Sequence, residues 1–149
     1  IVSKLFMYVE PDRAYFGEKD FQQIAIIKDL VRQYKLPITI VPCPIVREDS
    51  GLALSSRNKR LSEDERKRAA NIYKILKAST QLETTKVADI QKFVADEIAH
   101  NPGFKLEYYE IVDGETLQIL SDLNDSDSVV GCITVYVGEV RLIDNIKYK

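Results

Sequence analysis

The feature that most constrains the fold of this chain is an alternation of apolar segments within its first 44 residues. Ala14-Tyr15-Phe16 is a short apolar run that stops at Gly17, and it predicts a buried strand. From Asp20 an apolar stripe recurs with helical spacing until Pro37. The β-branched run Ile38-Thr39-Ile40-Val41 predicts a second strand. A strand, a helix of about fifteen residues and another strand form a βαβ unit with a parallel strand pair.

The helical stripe and an earlier helical pattern rest on regularly spaced apolar residues. The stripe consists of Phe21, Ile24, Ile27, Val31 and Tyr34. The earlier pattern consists of Val2, Leu5, Phe6 and Val9, and it ends at Pro11. We therefore predict one helix before the first strand and one between the two strands.

A loop rich in proline, glycine, serine and charged residues follows from Pro42 to Asn58 and predicts a domain boundary. Beyond it, Ser62 and Glu65 form a capping-box pattern, followed by a helix with Ala69, Ile72, Tyr73 and Leu76 on one face. A further helical pattern covers about Val87 to His100. The charged pair Arg47 and Glu48 in this loop is expected to be solvated.

After this helix the apolar period changes to two, which predicts strands at Phe104–Val112, Val129–Val137 and Val140–Lys147. Gly138-Glu139 fits a two-residue hairpin turn between the last two strands. The sequence therefore predicts a parallel α/β part over residues 1–44. An α+β domain with an antiparallel sheet of roughly three strands is predicted over residues 45–149.

Composition and charge exclude several classes of protein. The 149 residues carry 21 Lys and Arg against 23 Asp and Glu, a net charge of −2, so we predict no nucleic-acid partner. No apolar stretch reaches the roughly 20 residues that cross a bilayer, and we predict no membrane partner. Two distant cysteines, Cys43 and Cys132, predict reduced thiols and a cytoplasmic location. With His100 the only histidine, no zinc site is expected.

Gly17-Glu18-Lys19-Asp20 stands between a predicted strand end and a predicted helix start. Ligands of open α/β sheets bind at the carboxyl ends of strands, and helix N-termini favour phosphate. Gly17 allows a close backbone approach, Lys19 adds a cation and Asp20 can accept hydrogen bonds from ribose hydroxyls. Taken alone, the tetrapeptide is more typical of a plain turn in which Asp20 caps the helix and Glu18 and Lys19 are solvated.

Two further groups of polar residues fit the same chemistry. Gln23, beside Gln22 in the first helical turn, is a neutral donor and acceptor suited to a hydroxy acid. The loop Leu54-Ser55-Ser56-Arg57 follows the next parallel strand and offers hydroxyls and a cation for phosphate oxygens. Gly51 would serve as a hinge for a mobile loop. The alternative is a flexible linker between domains and a solvated first helical turn.

Together these motifs resemble the pantothenate synthetase, or pantoate–β-alanine ligase, family. The resemblance rests on ordered segments spread over the whole chain: Tyr15–Gln23, Val41–Glu48, Gly51–Asn58 and Arg141–Asn145. It implies the edge of a Rossmann-like nucleotidyltransferase domain over residues 1–44. A small α+β lid domain is implied over residues 45–149, with the ATP-phosphate loop at 45–58.

The resemblance also implies a reaction and roles for individual residues. ATP and (R)-pantoate would form pantoyl adenylate and pyrophosphate with Mg²⁺ on the ATP phosphates, and β-alanine would then release AMP. The catalytic residues implied are Lys19, Ser55, Ser56 and Arg57. The implied ATP contacts are Gly17, Glu18, Lys19, Asp20, Val46, Leu54, Ser55, Ser56 and Arg57. Gln23 matches the pantoate-binding glutamine, and no residue is implied as a metal ligand.

Departures from the family pattern limit what this chain is expected to do. The HxGH segment and an upstream glutamine of the family are absent, and Ile1 is not a typical native start. We therefore expect a fragment that holds the C-terminal half of the enzyme and is inactive alone, whereas the full enzyme is expected to be a homodimer. Leu54 stands where the family usually has Met. A non-catalytic nucleotide-binding module, or an adenylate-forming relative that uses another acid, remains the alternative.

Overall fold

Two parallel strands flank a helix near the start of the chain, as the sequence predicts. The computed structural model describes residues 1–149, which divide into two compact units, Ile1–Ile45 and Val46–Lys149. The elements of the first unit are α1 (Val2–Val9), β1 (Arg13–Gly17), α2 (Phe21–Gln33) and β2 (Thr39–Cys43). β1 and β2 pair in parallel with Arg13 opposite Thr39 and Gly17 opposite Cys43. The predicted βαβ unit is therefore confirmed.

The core of the first unit is small, and one expectation about it is wrong. Ile24 and Ile27 on α2 are buried, as is Phe6 on α1, whose ring meets Phe16 edge to face with 6.5 Å between centroids. Residues alternate between exposed and half-buried along β1, and Tyr15 is 62% exposed. β1 is thus not buried on both faces, because only one side of its pleat packs against apolar neighbours within this unit.

The second unit combines helices with an antiparallel sheet. Its helices are α3 (Glu63–Ala69), α4 (Asn71–Ser79) and α5 (Val87–Ala99). Its strands are β3 (Phe104–Asp113), β4 (Val129–Val137) and β5 (Val140–Lys147), which form a sheet in the order β3-β4-β5. Both strand pairs are antiparallel, with β4 in the centre. The predicted three-stranded antiparallel sheet is confirmed.

Two local signals of this unit have their predicted structural effect, and one helix differs from its prediction. Ser62 and Glu65 form the reciprocal capping box, and Gly138 takes a positive φ of 56° at the β4–β5 turn. The single helix predicted after Ser62 is divided at Ala70 into α3 and α4. Ala69 and Ala70 are both buried at this break, where two consecutive small side chains pack inward.

The core of the second unit lies between the sheet and helices α4 and α5. Val87, Ile90, Val94 and Ile98 of α5 pack with Ile133, Val135 and Val137 of β4. Tyr148 packs against this core, and its hydroxyl shares hydrogen bonds with Ser79 Oγ at 2.6 Å and with the Tyr109 hydroxyl at 2.5 Å. Both cysteines are free thiols, Cys132 buried and Cys43 half-buried. No helix is both long and apolar enough to cross a membrane.

Candidate functional site

The first set of candidate residues follows the carboxyl end of β1. Gly17 is the last residue of β1, residues Glu18–Asp20 form a single 3-10 turn, and α2 begins at Phe21. Because Gly17 is in register with Cys43, β1 and β2 end at the same edge of the sheet. This is the edge at which open α/β sheets bind ligands.

Part of this first set is exposed to solvent. Gly17, Asp20 and Gln23 are exposed, whereas Glu18 and Lys19 are half-buried. A Cβ built on Gly17 would meet no atom within 4 Å, so the space beside its backbone is open. Asp20 occupies the N-cap position of α2, yet its side chain accepts no capping hydrogen bond. The alternative in which Asp20 caps the helix is therefore wrong, and its carboxylate is not used to cap α2.

The second set belongs to the second unit and begins with a small hairpin. Arg47 and Ala53 form an isolated antiparallel bridge. The Leu54 amide donates to the Val46 carbonyl at 2.9 Å, and the Glu48 amide donates to the Leu52 carbonyl at 2.9 Å. At the tip, the Gly51 amide donates to the Glu48 carbonyl at 2.8 Å. Residues 46–54 thus form an ordered turn, which we call the binding hairpin.

The binding hairpin presents two apolar side chains to solvent. Val46 is 65% exposed and Leu54 is 55% exposed. They face one another across the hairpin, and opposite residues of an antiparallel pair place their side chains on the same face. Arg47 and Ala53, one step along, therefore point to the other face, and Ala53 is buried. The exposed pair is suited to an apolar or aromatic surface of a ligand.

Hydroxyl and cationic side chains follow this pair directly. Ser55 caps a 3-10 helix, Ser56–Arg60, by accepting a hydrogen bond from the Arg57 amide at 3.2 Å. Ser56 and Arg57 are exposed, and Arg57 Nη1 makes only a long contact, 3.4 Å, to the Arg141 carbonyl. The 3-10 helix also carries Lys59 and Arg60. Two hydroxyls and a group of cations beside an apolar pair are an arrangement suited to a nucleotide.

Arg47 does not behave as the sequence analysis expects. Its guanidinium donates two hydrogen bonds to the carboxylate of Asp144 on β5, at 2.7 and 2.9 Å, and a third to the Gly51 carbonyl at 3.1 Å. It also lies over the Tyr73 ring of α4, 3.7 Å from the ring centroid. The expectation that the Arg47 side chain is solvated is wrong, because it forms an ion pair with Asp144, which lies 97 residues away in the sequence.

Glu48 is likewise held in place. Arg66 of α3 donates to both of its oxygens, at 2.8 and 3.0 Å, and Asn58 Nδ2 donates to Oε1 at 2.9 Å. The hydrogen bond from Arg66 is the main reason that the pKa of Glu48 is lowered, whereas desolvation acts in the opposite direction. Asn58 is 3% exposed and also donates to the Ala53 carbonyl at 3.1 Å. Sequence reasoning missed these supporting residues because none of their pairings follows from local spacing.

The two sets lie in different compact units, Ile1–Ile45 and Val46–Lys149. Within the second set, the structure brings Val46 and Leu54 together and places Ser55, Ser56 and Arg57 immediately after them. No group of three or more His, Cys, Asp or Glu is arranged to hold a metal ion. The cations of the second set suit an anionic ligand.

Comparison with known proteins decides the family. The family model described as pantoate-beta-alanine ligase matches residues 1–147. The chain belongs to the pantoate–β-alanine ligase family. The family resemblance of the sequence is therefore confirmed, and so is the predicted α/β fold class.

Curated relatives within this family are closely similar in sequence. Pantothenate synthetase of Phocaeicola vulgatus is 63% identical over all of this chain and 54% of the relative. That of Bacteroides thetaiotaomicron is 63% identical over all of this chain and 53% of the relative. The chain thus spans about half the length of the curated relatives that it matches.

Solved structures of family members share the fold. A crystal structure of pantothenate synthetase from Thermus thermophilus matches with a TM-score of 0.91 and 40% identity, over 99% of this chain and 53% of that one. The ligase from Francisella tularensis, crystallised with "Beta-gamma ATP" and β-alanine, matches with a TM-score of 0.68 and 33% identity. That match covers 99% of this chain and 48% of the Francisella chain.

Proposed function

We propose that this chain supplies the ATP-binding and pantoate-binding residues of an AMP-forming ligase that joins (R)-pantoate to β-alanine. The observation that carries the proposal is the family match over residues 1–147, which includes both sets of candidate residues. The family member from Francisella was crystallised with an ATP ligand and β-alanine, which agrees with the proposed substrates. Residues 1–44 would be the end of the nucleotide domain, and residues 45–149 the lid domain.

The proposed reaction replaces a poor leaving group on the pantoate carbonyl by a good one, AMP. A carboxylate is a poor acyl donor because oxide would have to leave. Attack of the pantoate carboxylate oxygen on the α-phosphorus of ATP breaks the α–β phosphoanhydride bond and releases pyrophosphate. The amine of β-alanine then attacks the acyl carbon, the acyl–phosphate C–O bond breaks, and AMP leaves with the former carboxylate oxygen. The amine loses a proton as pantothenate forms.

The candidate residues divide this work between binding and charge stabilisation. Lys19, Ser55, Ser56 and Arg57 are proposed to hold the phosphates and to stabilise the charge that develops on the α-phosphate. Gly17, Glu18 and Asp20 are proposed to contact the nucleotide, with Asp20 on the ribose. The exposed apolar pair Val46 and Leu54 fits an adenine ring. Mg²⁺ bound to the ATP phosphates would neutralise part of their charge.

Gln23 is proposed to bind pantoate through its amide, which can both donate to and accept from a hydroxy acid. It is exposed in the first turn of α2, shortly after the 3-10 turn that carries Lys19. Gln33, at the other end of α2, donates to Asp29 at 2.6 Å and supplies a matched control. Gln23→Ala should raise KM for pantoate at least about tenfold, because one hydrogen bond to a charged group contributes about 1.5 kcal/mol or more, whereas Gln33→Ala should leave KM unchanged.

The proposal extends to the protein as a whole. We propose that the 149-residue chain is the C-terminal half of the ligase and needs the HxGH half of the family for turnover. We further propose a cytoplasmic homodimer. These proposals agree with the match to about half the length of the curated relatives.

The test is AMP formation by the protein expressed from its native start codon, with ATP, Mg²⁺, pantoate and β-alanine. AMP release that requires both pantoate and β-alanine supports the proposal. Arg57→Ala should lower kcat at least about a hundredfold, in the range seen when one charge-stabilising donor is removed. Lys92→Ala, which removes an exposed cation on α5, should not lower kcat. ATP binding without AMP release would favour a binding module, and AMP release with another acid would favour a different ligase.

A further inference from the structure

The face of the binding hairpin opposite Val46 and Leu54 is fixed by a buried ion pair. Arg47 is on this face and donates two hydrogen bonds to Asp144, whose side chain is only 5% exposed. The same guanidinium bonds the Gly51 carbonyl at the hairpin tip and stacks on Tyr73. One side chain therefore links the hairpin to β5 and to α4. A planar guanidinium suits this role because its fixed fork can use several acceptors while its face stacks on a ring.

A second group of hydrogen bonds holds Glu48 and Ala53, one residue on each strand of the hairpin. Glu48 accepts from Arg66 of α3 and from Asn58, and the same Asn58 amide donates to the Ala53 carbonyl. Asn58 follows directly after Ser55, Ser56 and Arg57. The buried Asn58 of the 3-10 helix is thus bonded to both strands of the hairpin, at Glu48 and at Ala53.

We propose that Arg47 and Asp144 are positioning residues that hold the binding hairpin in the shape that contacts ATP, and this inference rests on the function proposed above. Residues 46–57 are then a preformed part of the site, and Gly51 serves as a fixed turn in place of a hinge. A preformed site avoids the entropic cost of ordering a loop when the ligand binds. In this proposal neither Arg47 nor Asp144 contacts ATP. They affect ATP binding by fixing the positions of Val46, Leu54 and Arg57.

The test compares two variants of the full-length protein that both disturb a buried hydrogen-bond network. Asp144→Asn keeps the shape of the side chain but replaces one acceptor oxygen by an NH₂ group. That NH₂ group then faces an N–H donor of Arg47, and the hydrogen bond between them is lost. Tyr148→Phe removes the hydroxyl that Ser79 and Tyr109 share, in a network that does not include Arg47. Both variants should lower the midpoint of thermal unfolding. Only Asp144→Asn should lower kcat/KM for ATP, by about 10- to 100-fold, because a small misplacement has an effect of that size.

The Michaelis constants and amide exchange separate positioning from a loss of stability. With Asp144→Asn, KM for β-alanine should change by less than about twofold, because the structural change is confined to residues that contact ATP. Hydrogen exchange should accelerate at the Gly51 and Leu54 amides, which donate within the hairpin. Equal kinetic effects of Asp144→Asn and Tyr148→Phe would overturn the proposal.

A double variant removes the charge without leaving a buried ion unpaired. Replacing a buried ion pair by apolar residues is often neutral for stability, so Arg47→Met with Asp144→Leu should recover the unfolding midpoint. If Arg47 positions the hairpin, kcat/KM for ATP should stay reduced in this stable protein. Recovery of both stability and kcat/KM would overturn the proposal. Arg47→Lys serves if the double variant does not fold, and it should retain part of the activity because a single ammonium can still bond Asp144.

The outcomes keep this inference separate from the proposed function. Wild-type protein that forms no AMP contradicts the proposed function. Wild-type protein that forms AMP, with Asp144→Asn indistinguishable from Tyr148→Phe, contradicts the positioning role alone. The amide exchange of the hairpin is measured without substrates, so it tests the anchoring in either case.

Discussion

Gly51 lies so close to Tyr73 that a Cβ on the glycine would be 2.9 Å from Cδ1 of the tyrosine ring. The φ angle of Gly51 is +93°, a value that side chains rarely tolerate. Two independent physical reasons therefore require glycine at the tip of the binding hairpin. The same Tyr73 ring carries the Arg47 guanidinium on its face.

Gly51→Ala is expected to destabilise the second unit by about 3 kcal/mol, as the sum of backbone strain and steric overlap. Gly103→Ala is the matched control because Gly103 has a similar φ of +81°. A Cβ there would lie 3.5 Å from the nearest atom, Arg68 Nη1. Its cost should be only the strain, about 1 kcal/mol. Denaturant unfolding measures both, and equal losses would show that contact with Tyr73 is unimportant.

Substitution of Leu54 tests whether the exposed apolar pair binds ATP. Leu54→Met preserves size and polarity and should change KM for ATP by less than about twofold. Leu54→Asp places a negative charge beside the proposed path of the phosphates and removes an apolar contact, so KM for ATP should rise at least about tenfold. Ile119→Asp, at an apolar residue that is also exposed, is the control. An unchanged KM in Leu54→Asp would remove this residue from the ATP contacts.

Asp113 contributes stability that acid should remove. Its carboxylate accepts hydrogen bonds from Ser126 Oγ at 2.6 Å and from the amides of Thr116 and Glu115 at 2.7 and 2.9 Å. These bonds, that of Ser126 first, hold the pKa of Asp113 well below its usual value of 3.8. As pH falls, Asp113 is therefore protonated in the unfolded chain before it is protonated in the folded protein. Its contribution to the free energy of unfolding is lost as pH falls below 3.8.

Asp113→Asn should accordingly lower the unfolding free energy at neutral pH and flatten its decline between about pH 4 and pH 2. Chemical denaturation of wild type and variant across this range measures the slopes. Parallel curves would contradict the assignment of acid sensitivity to Asp113.

The two thiols are expected to differ in reactivity. Burial raises the pKa of Cys132 to about 12, and the side chain is only 5% exposed in the central strand β4. Cys43 is half-buried at the end of β2. Alkylation by iodoacetamide near pH 8 should modify Cys43 at least about tenfold faster, because the thiolate is the reactive form. Peptide mass spectrometry measures both rates, and similar rates would contradict the burial of Cys132.

Elements specified by local pattern could be predicted from the sequence. The boundaries predicted for β4 and β5, Val129–Val137 and Val140–Lys147, are those observed, because period-two alternation and the Gly138 turn are local signals. The capping box at Ser62 is equally local. The exposure of Tyr15 was not predictable, since an apolar run does not reveal whether both faces of its strand are covered.

The candidate site residues follow from motif order, whereas the residues that support the hairpin do not. Motif order identified Lys19, Leu54 and Arg57, and their proposed roles remain predictions. The support of the hairpin was invisible because Arg47 and Asp144 are brought together by the tertiary fold. Sequence spacing alone therefore made Arg47 indistinguishable from a solvated loop residue.

The wide separation of Arg47 and Asp144 also has a consequence for the order of folding. The contact between Arg47 and Asp144 closes a loop of 97 residues. Because closing a long loop lowers the chain entropy, this contact is expected to form only after more local structure has formed. In synthesis from the N-terminus, the hairpin emerges long before β5, which carries its anchor. A nascent chain would thus lack the anchored hairpin until the last strand has joined the sheet, so nucleotide binding would report that folding of the second unit is complete.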